Sequence, residues 1–249
     1  MAPQTIILIS GANRGLGFLA AKSLLLSETN LHIIIGSRNL SDGNAAAASL
    51  LAIPNIHGTV SAIQLNVTDD KSVDAAKATI ESTYGRLDIL VNNAAIYLLN
   101  REPAREALRD SLETNVTGVV SLTEALLPLL KKSQNPRIVF VSSSMGSLLH
   151  NLNPDSPHAG THATEYRVTK VAVNMLLVQY HMKLEGFKVL GADPGFCATS
   201  LPGDFDMDEL RKMGAAEPET GAEIIASVVR GGKDDQPGRV HGPQGVVPW

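Results

Sequence analysis

Two side chains of the sequence have the type and spacing for proton transfer, Tyr166 and Lys170. They stand four residues apart in a helical pattern, and residues i and i+4 of a helix lie on one face. The pKa of a tyrosine is ordinarily about 10, and a cation within ~4–6 Å lowers it. We therefore predict that Lys170 lowers the pKa of Tyr166, so that the phenol can give a proton to an alkoxide. This spacing alone is common by chance, so the prediction depends on the other motifs.

A glycine-rich segment at residues 10–17 follows the first predicted strand and opens a helix. Gly11, Gly15 and Gly17 allow a tight turn and a close approach of the backbone to a ligand. The helix N-terminus then offers free N–H groups and a positive dipole end to a pyrophosphate. A plain turn would have the same composition, but the position between strand and helix favours a dinucleotide site.

The residues after the second predicted strand indicate which dinucleotide binds. An acidic side chain there would bind the 2′-hydroxyl of NAD and repel a 2′-phosphate, but residues 36–39 read Gly-Ser-Arg-Asn. Arg38 can hold a phosphate through two hydrogen bonds, and Arg14 can close on it from the glycine segment. Either arginine could also be an ordinary surface charge. We predict NADP(H), because each charge-assisted hydrogen bond is worth roughly 1.5–3 kcal/mol.

Polar residues follow three further apolar strands. Two asparagines stand at 92–93, three serines at 142–144, and Asp193 precedes a Pro-Gly pair. Ligand sites in a doubly wound sheet lie beyond the carboxyl ends of the strands, so the asparagines and serines are candidates for one site. Asp193 is interpreted as a turn residue at the strand end. Asn115 lies inside a long helical pattern, where asparagine is a poor helix former.

The elements that must position these residues alternate between strands and helices. Strands that are apolar on both faces belong to parallel sheets covered by helices. We predict a single α/β domain over residues 1–249, a Rossmann-type doubly wound parallel sheet of about seven strands with helices on both faces. The predicted strands are residues 5–10, 31–36, 61–65, 87–92, 137–142 and 188–193, and the predicted helices are residues 16–26, 43–51, 71–84, 104–130, 165–183 and 218–230.

Two segments, residues 148–162 and 198–215, break this alternation. Both contain proline, glycine and other turn residues, so we predict loops there. Long loops in a compact domain are often functional, and these two are predicted to form walls of a substrate site.

The composition excludes several other functions. The chain has 249 residues, 44% apolar and 18% charged, which is typical of a globular protein. A net charge of −4 gives no reason to expect nucleic acid. No apolar run approaches the ~18 residues that span a bilayer, and the N-terminus lacks a secretory pattern, so we expect a cytoplasmic protein without a membrane partner. Cys197 is the one cysteine, and His158 and His162 lack a third ligand, so we predict no disulfide and no metal site.

Taken in order, the motifs resemble the short-chain dehydrogenase/reductase family over essentially the whole chain. The resemblance implies a catalytic tetrad of Asn115, Ser143, Tyr166 and Lys170. Ser143 lies three residues before Gly146, as in the family pattern, and would hold the substrate carbonyl oxygen. Asn115 would hold a water in the proton relay, and Lys170 would also bind the nicotinamide ribose.

The same resemblance implies a site for NADP(H) along the strand ends. Asn93 and Ala94 would lie along the cofactor, and Cys197 and Thr199 would meet the carboxamide of the nicotinamide. The predicted cofactor-binding residues are Gly11, Asn13, Arg14, Gly15, Leu16, Gly17, Ser37, Arg38, Asn66, Val67, Asn93, Ala94, Ala95, Tyr166, Lys170, Pro194, Gly195, Cys197 and Thr199.

The sequence departs from the family pattern at four places. Ser10 stands where threonine is commoner, Ala95 where glycine is usual, and Asn66 where an aspartate often contacts adenine. The gap between Ser143 and Tyr166 is longer than in compact members, because it contains the segment 148–162.

We therefore expect an NADPH-dependent reductase of a ketone or aldehyde, in the carbonyl-reductase (sniffer-like) branch that the chain end resembles. The alternatives are an NAD-dependent alcohol dehydrogenase on the same fold and a regulator that senses NADP(H) without turnover. The resemblance also implies a homodimer or homotetramer. An apolar substrate is expected because the segments predicted to line the pocket, residues 96–103, 148–162 and 196–213, carry few charges and several large apolar residues: Leu148, Leu149, Phe196, Leu201, Phe205 and Met207.

Overall fold

The computed structural model of the chain describes residues 4–99, 101–201 and 206–249. These residues form one sheet of eight strands in the order β3-β2-β1-β4-β5-β6-β7-β8. Strands β1 to β7 pair in parallel, and β8 runs antiparallel to β7. The strands are β1 (Thr5–Ser10), β2 (Leu31–Ser37), β3 (Thr59–Gln64), β4 (Ile89–Asn92), β5 (Arg137–Val141), β6 (Lys188–Ala192), β7 (Val240–Gly242) and β8 (Gly245–Val246).

Helices cover both faces of this sheet, which confirms the predicted doubly wound α/β fold. The described helices include none that is both long and apolar enough to cross a bilayer. The helices are α1 (Gly15–Ser27), α2 (Leu40–Leu51), α3 (Asp70–Tyr84), α4 (Ala104–Leu112), α5 (Gly118–Leu130), α6 (Leu148–Leu152), α7 (Thr164–Lys183), α8 (Met207–Lys212) and α9 (Pro218–Val229).

Strand β1 shows why the sheet needs helices on both faces. Ile6 and Leu8 belong to one apolar core, which includes side chains of α3, α5 and α7. Ile7 and Ile9 belong to a second core with α1, α2 and α9. Successive residues of a strand point to opposite faces, so an uninterrupted apolar strand is buried only between two helical layers.

The order of the strands also determines where a ligand can bind. Strand β1 lies between β2 and β4, although β2 and β3 separate β1 from β4 in the sequence. The chain therefore leaves β1 on one side of the sheet and resumes with β4 on the other side. Such a reversal opens a crevice at the carboxyl ends of the strands.

The predicted continuous helix over residues 104–130 is wrong at its centre. Helix α4 ends at Leu112, a π-helical turn occupies Glu113–Thr117, and α5 begins at Gly118. The turn contains Asn115, whose side chain bonds to the backbone of Ile96 instead of lying on a regular helix surface. Single π-helical turns of this kind are frequently found at functional sites.

The two predicted loops are wrong in part, because each contains a short helix. The side chain of Ser147 accepts a hydrogen bond from the N–H of His150 and caps α6. Asp206 caps α8 in the same way. Both caps can be recognised from the local sequence. The loop prediction followed the proline, glycine and other turn residues of the two segments instead. Phe205, one of the predicted wall residues, lies outside the described residues.

Candidate active site

A cleft of about 860 Å³ opens at the strand ends beside β1 and β4. It reaches from Arg38, which follows β2, to Tyr166 on α7. The structure thus brings the predicted phosphate-binding and proton-donating residues to one cavity. The predicted site residues that line it are Gly11, Asn13, Arg14, Gly15, Leu16, Ser37, Arg38, Asn66, Val67, Asn93, Ala94, Ala95, Tyr166, Lys170, Pro194 and Thr199.

The glycine segment adopts a backbone that favours glycine. Gly11 and Gly15 have φ angles of +65° and +62°, values that side chains disfavour. A Cβ atom on Gly11 would lie 2.9 Å from the Cα atom of Ala94. A Cβ atom on Gly15 would meet no described atom within 4 Å, so this residue borders open space. Helix α1 begins at Gly15 without a side-chain cap or an acidic residue in its first turn, which leaves its N–H groups available to an anion.

Asn93 holds this segment against the end of β4. Its Nδ2 atom donates to the carbonyl oxygens of Ser10, at 2.8 Å, and Gly11, at 3.2 Å. The hydroxyl of Ser10 in turn accepts from the N–H groups of Asn93 and Ala94, both at 3.0 Å. A Cβ atom on Gly17 would lie 2.5 Å from Nδ2 of Asn93. Asn93 was predicted to lie along a cofactor, and its side chain also fixes the glycine segment.

Two arginines without acidic partners stand at the far end of the cleft. Arg14 and Arg38 are exposed, and neither forms an ion pair with another described residue. The hydroxyl of Ser37 donates to the carbonyl oxygen of Asn39 at 2.7 Å. Asp42, in the first turn of α2, also lines the cleft. Asp42 is not among the predicted site residues, although Asn39 before it is a recognisable helix cap.

The residues after β3 form the next part of the wall. The side-chain oxygen of Asn66 accepts a hydrogen bond from the hydroxyl of Thr68 at 3.0 Å. Its Nδ2 atom donates to no described residue and is available to a ligand. Val67 is 7% exposed and belongs to the apolar core.

Tyr166 and Lys170 lie on one face of α7, as predicted. The Nζ atom of Lys170 is 5.2 Å from the centre of the Tyr166 ring. It donates to the carbonyl oxygen of Val141, at the end of β5, at 2.8 Å. Tyr166 is 9% exposed and Lys170 is 3% exposed. Strand β5 and helix α7 together therefore hold the ammonium group next to the phenol ring.

The three serines after β5 have different partners. Ser142 donates to the side-chain oxygen of Asn174 and is buried. Ser144 binds the carboxylate of Asp193 through its N–H, at 2.9 Å, and its hydroxyl. The hydroxyl of Ser143 accepts from the N–H of Met145 at 3.1 Å, which leaves its proton free to donate. Ser143 is half-buried, but Ser142, rather than Ser143, is among the residues that line the cleft.

Asn115 acts on the cleft through the segment after β4. Its amide accepts from the N–H of Ile96 at 2.8 Å and donates to the carbonyl oxygen of Ile96 at 2.9 Å. It also donates to the hydroxyl of Thr169 on α7 at 3.1 Å. The side chain therefore ties that segment to α7. Its role in holding a water of the proton relay stays a prediction.

The Pro-Gly segment after β6 forms the last wall. Gly195 has φ of +75°, and its N–H donates to the carboxylate of Asp193 at 2.9 Å. Thr199 lines the cleft. The thiol of Cys197 donates to the carbonyl oxygen of Pro194 at 3.3 Å and faces α9. Its predicted contact with the carboxamide stays a prediction. Burial raises the pKa of this thiol, which does not favour a reactive cysteine.

This geometry agrees with what comparison with known proteins finds. The family model described as short chain dehydrogenase matches residues 5–209. The chain belongs to the short-chain dehydrogenase/reductase family. Among curated members of the family, the short-chain dehydrogenase/reductase tropE of Talaromyces stipitatus is 34% identical over 266 aligned residues, which cover 99% of this chain and 98% of tropE. The match spans both ends of the cleft. The sniffer-like branch stays a prediction.

Solved structures of the short-chain dehydrogenase/reductase fold are also similar. The 3-ketoacyl-(acyl-carrier-protein) reductase of Brucella melitensis, complexed with NADH, has a TM-score of 0.80 at 22% identity and covers 98% of each chain. The alcohol dehydrogenase of Thermococcus sibiricus, complexed with 5-hydroxy-NADP, has a TM-score of 0.74 at 19% identity and covers 91% of each chain. At these identities the likeness shows the fold alone. The choice of cofactor must therefore be argued from this chain's own residues.

The electrostatics of Tyr166 differ from the prediction. Burial raises the pKa of its phenol, and the carboxylate of Asp193 and the ring of Tyr97 raise this pKa further. Burial also lowers the pKa of Lys170 to about 8, which Asp193 partly opposes. The prediction that the pKa of Tyr166 lies below its ordinary value is wrong for this structure, because burial and the two neighbouring groups outweigh the effect of the Lys170 ammonium. In this family member the phenol is protonated at neutral pH.

Proposed function

We propose that this short-chain dehydrogenase/reductase uses NADPH to reduce the carbonyl group of an apolar ketone or aldehyde, with Tyr166 as proton donor. One observation carries the proposal: a single cleft joins a glycine segment and two arginines, neither of which pairs with an acidic described residue, to a buried tyrosine-lysine pair. The first part suits a phosphorylated dinucleotide, and the second suits proton transfer to oxygen. All of these residues are positioned by one sheet, which supports our proposal that residues 1–249 act as one domain.

The residues of the cleft fit the dinucleotide that the fold implies. Open space at Gly15 and the uncapped start of α1 would accommodate a pyrophosphate. Arg14 and Arg38 would hold the ribose 2′-phosphate, since no ion pair with a described residue competes for them. Asp42 would oppose that phosphate, so the preference for NADPH depends on the two arginines together. When bound, the cofactor supplies the hydride.

Tyr166 keeps its proton at neutral pH, but the burial that raises its pKa also makes the phenol a weaker acid, so donation depends on a neighbouring cation that stabilises the tyrosinate. A phenol that stays protonated at neutral pH can donate its proton to an alkoxide oxygen as the alkoxide forms. Ser143 has a hydroxyl proton to offer the same oxygen, because its own oxygen is already an acceptor for Met145. Lys170, held by Val141, places a positive charge behind the phenol and would stabilise the tyrosinate that is left after transfer.

The test of this role is the variant Tyr166→Phe. General acid catalysis contributes about 10²–10⁴-fold, so NADPH oxidation with a panel of ketones and aldehydes should fall by that factor. The affinity for NADPH, measured by fluorescence titration, should stay within about fivefold, because the ring remains and only a hydrogen bond of about 1 kcal/mol or less is at stake. The matched control is Tyr180→Phe, on the same helix but bonded to Glu124 away from the cleft. An unchanged rate in Tyr166→Phe would refute the assignment.

The choice of cofactor is tested by Arg38→Asp. Losing one charge-assisted hydrogen bond, worth roughly 1.5–3 kcal/mol, corresponds to about 10- to 150-fold in kcat/KM for NADPH. The introduced carboxylate should at the same time improve use of NADH. The control is Arg105→Asp, an exposed residue of α4, which should leave the NADPH/NADH ratio unchanged. A wild-type protein that prefers NADH would favour the alternative, an NAD-dependent alcohol dehydrogenase.

The outer face of α7 supports the proposed self-association. Val168, Met175 and Met182 recur at seven-residue spacing and are 42%, 59% and 76% exposed. Residues at this spacing lie along one stripe of a helix. We propose that this stripe is covered in a homodimer or homotetramer, and sedimentation of Met175→Glu should show a smaller species than the wild type.

A further inference from the structure

We propose that Tyr97 recognises the substrate, and that the substrate is an aromatic ketone or aldehyde bearing a hydroxyl group. The inference rests on the proposed reductase function and adds a substrate class to it. Tyr97 follows β4 and lines the cleft together with its neighbours Ile96 and Leu98.

Tyr97 lies directly beside the proposed proton donor. The centres of the Tyr97 and Tyr166 rings are 4.8 Å apart, and the rings meet edge to face at 70°. A carbonyl group that accepts a proton from Tyr166 must therefore come close to the ring of Tyr97. Aromatic rings attract one another in this geometry beyond the effect of burial alone.

The position of Tyr97 is held rigidly relative to Tyr166. Both backbone polar groups of Ile96, the preceding residue, bond to the amide of Asn115. The same amide bonds to Thr169, three residues after Tyr166 on α7. One buried side chain thus connects the segment that carries Tyr97 to the helix that carries Tyr166, which is the support that a specific binding residue needs.

The hydroxyl of Tyr97 is available to a ligand. It forms no hydrogen bond with any described residue, and Tyr97 is half-buried and lines the cleft. Burial raises the pKa of this phenol, which the nearby cation of Arg167 partly opposes. The group is therefore a neutral donor and acceptor, suited to a hydroxyl on the substrate.

The other groups at this end of the cleft agree with an uncharged substrate. Among the described residues that line the cleft, the charged side chains are Arg14, Arg38, Asp42 and Lys170. The first three lie at the arginine end, and Lys170 is buried behind Tyr166. The neighbours of Tyr97 in the chain, Ile96 and Leu98, are apolar, and the cleft is also lined by the uncharged residues Thr114, Thr199, Ser200 and Leu201. A planar ring with a hydroxyl would match this combination.

The experiment compares ketones that differ in one feature each. Acetophenone and cyclohexyl methyl ketone differ in aromaticity, and the three hydroxyacetophenone isomers add a hydroxyl. In the wild type, the ring contact should favour acetophenone over cyclohexyl methyl ketone, and the hydrogen bond should favour at least one hydroxyacetophenone isomer over acetophenone, each by about 2- to 12-fold in kcat/KM. Tyr97→Phe should retain the preference for the aromatic ring and lose the preference for at least one hydroxyl isomer. Tyr97→Leu should lose both preferences.

Melting temperature and NADPH affinity provide the controls, since neither should change much if the variants fold. If the ratios of kcat/KM between the ketones were the same in the wild type, Tyr97→Phe and Tyr97→Leu, the role of Tyr97 would be overturned and the proposed function would stay intact. A wild-type protein that oxidises NADPH with none of the ketones, nor with any other carbonyl compound in a broad panel, would overturn the proposed function and this inference with it.

Discussion

Lys170 is a buried cation whose replacement should make the protein more stable and less active. It is 3% exposed, and its ammonium has no carboxylate within ion-pair distance among the described residues. Its one hydrogen bond, to the carbonyl oxygen of Val141, does not compensate for the loss of water. Methionine has a similar shape and no charge, so Lys170→Met removes the desolvation penalty and keeps most of the packing.

The magnitude follows from the pKa of Lys170, which burial lowers from 10.5 to about 8. Each unit of difference between the unfolded and folded pKa values corresponds to roughly 1.4 kcal/mol. Keeping the buried ammonium charged at pH 7 therefore lowers the free energy of unfolding by about 3 kcal/mol. Leaving the carbonyl oxygen of Val141 without a donor costs about 1 kcal/mol in the opposite direction. The variant should therefore gain about 2 kcal/mol, and its Tm should rise by about 4–8 °C for a chain of this size.

The pH dependence has a definite sign. Because the folded-state pKa of Lys170 is depressed, the wild type gains stability as the pH rises from about 8 towards the unfolded value of 10.5. The advantage of Lys170→Met should thus be complete below pH 8 and shrink between pH 8 and pH 9.5.

The assay is thermal unfolding without added cofactor, followed by circular dichroism from pH 6.5 to 9.5. Lys131→Met, on an exposed lysine, provides the control and should show no such pH dependence. NADPH oxidation by Lys170→Met should meanwhile fall by at least about 100-fold if the lysine assists Tyr166. A variant that melts below the wild type at pH 7, or an advantage that does not change with pH, would refute the reasoning about burial.

Three further variants test the supports of the site. Gly17→Ala places a methyl group 2.5 Å from Nδ2 of Asn93, so it should destabilise the protein by about 1–3 kcal/mol and weaken NADPH binding in a fluorescence titration. Asn115→Ala leaves the partly buried N–H and C=O groups of Ile96 without their partner and should lower the Tm by about 6–12 °C; calorimetry showing no change would contradict its positioning role. Arg167→Met removes the hydrogen bonds that tie residues 151–162 to α7. Proteinase K should therefore cut this segment faster than in the wild type, and mass spectrometry of the fragments measures this.

Much of this protein can be inferred from local sequence patterns. The alternation of apolar strands and amphipathic helices predicts the doubly wound sheet, because each pattern matches the period of one regular element. The pairing of Tyr166 with Lys170 is equally local, since helix geometry alone places residues four apart on one face. The antiparallel β8 and the caps of α6 and α8 were missed, because short elements produce weak patterns.

The chemistry of the site was decided by contacts between residues far apart in the chain. The pKa of Tyr166 is raised because the fold buries it near Asp193, which lies on another strand end. Asn115 is committed to the segment after β4, and Tyr97 meets Tyr166, only because α7 packs beside that segment. A short motif determines which groups are neighbours within one element. Burial and charge depend on every element packed around them, and only the tertiary structure contains that information.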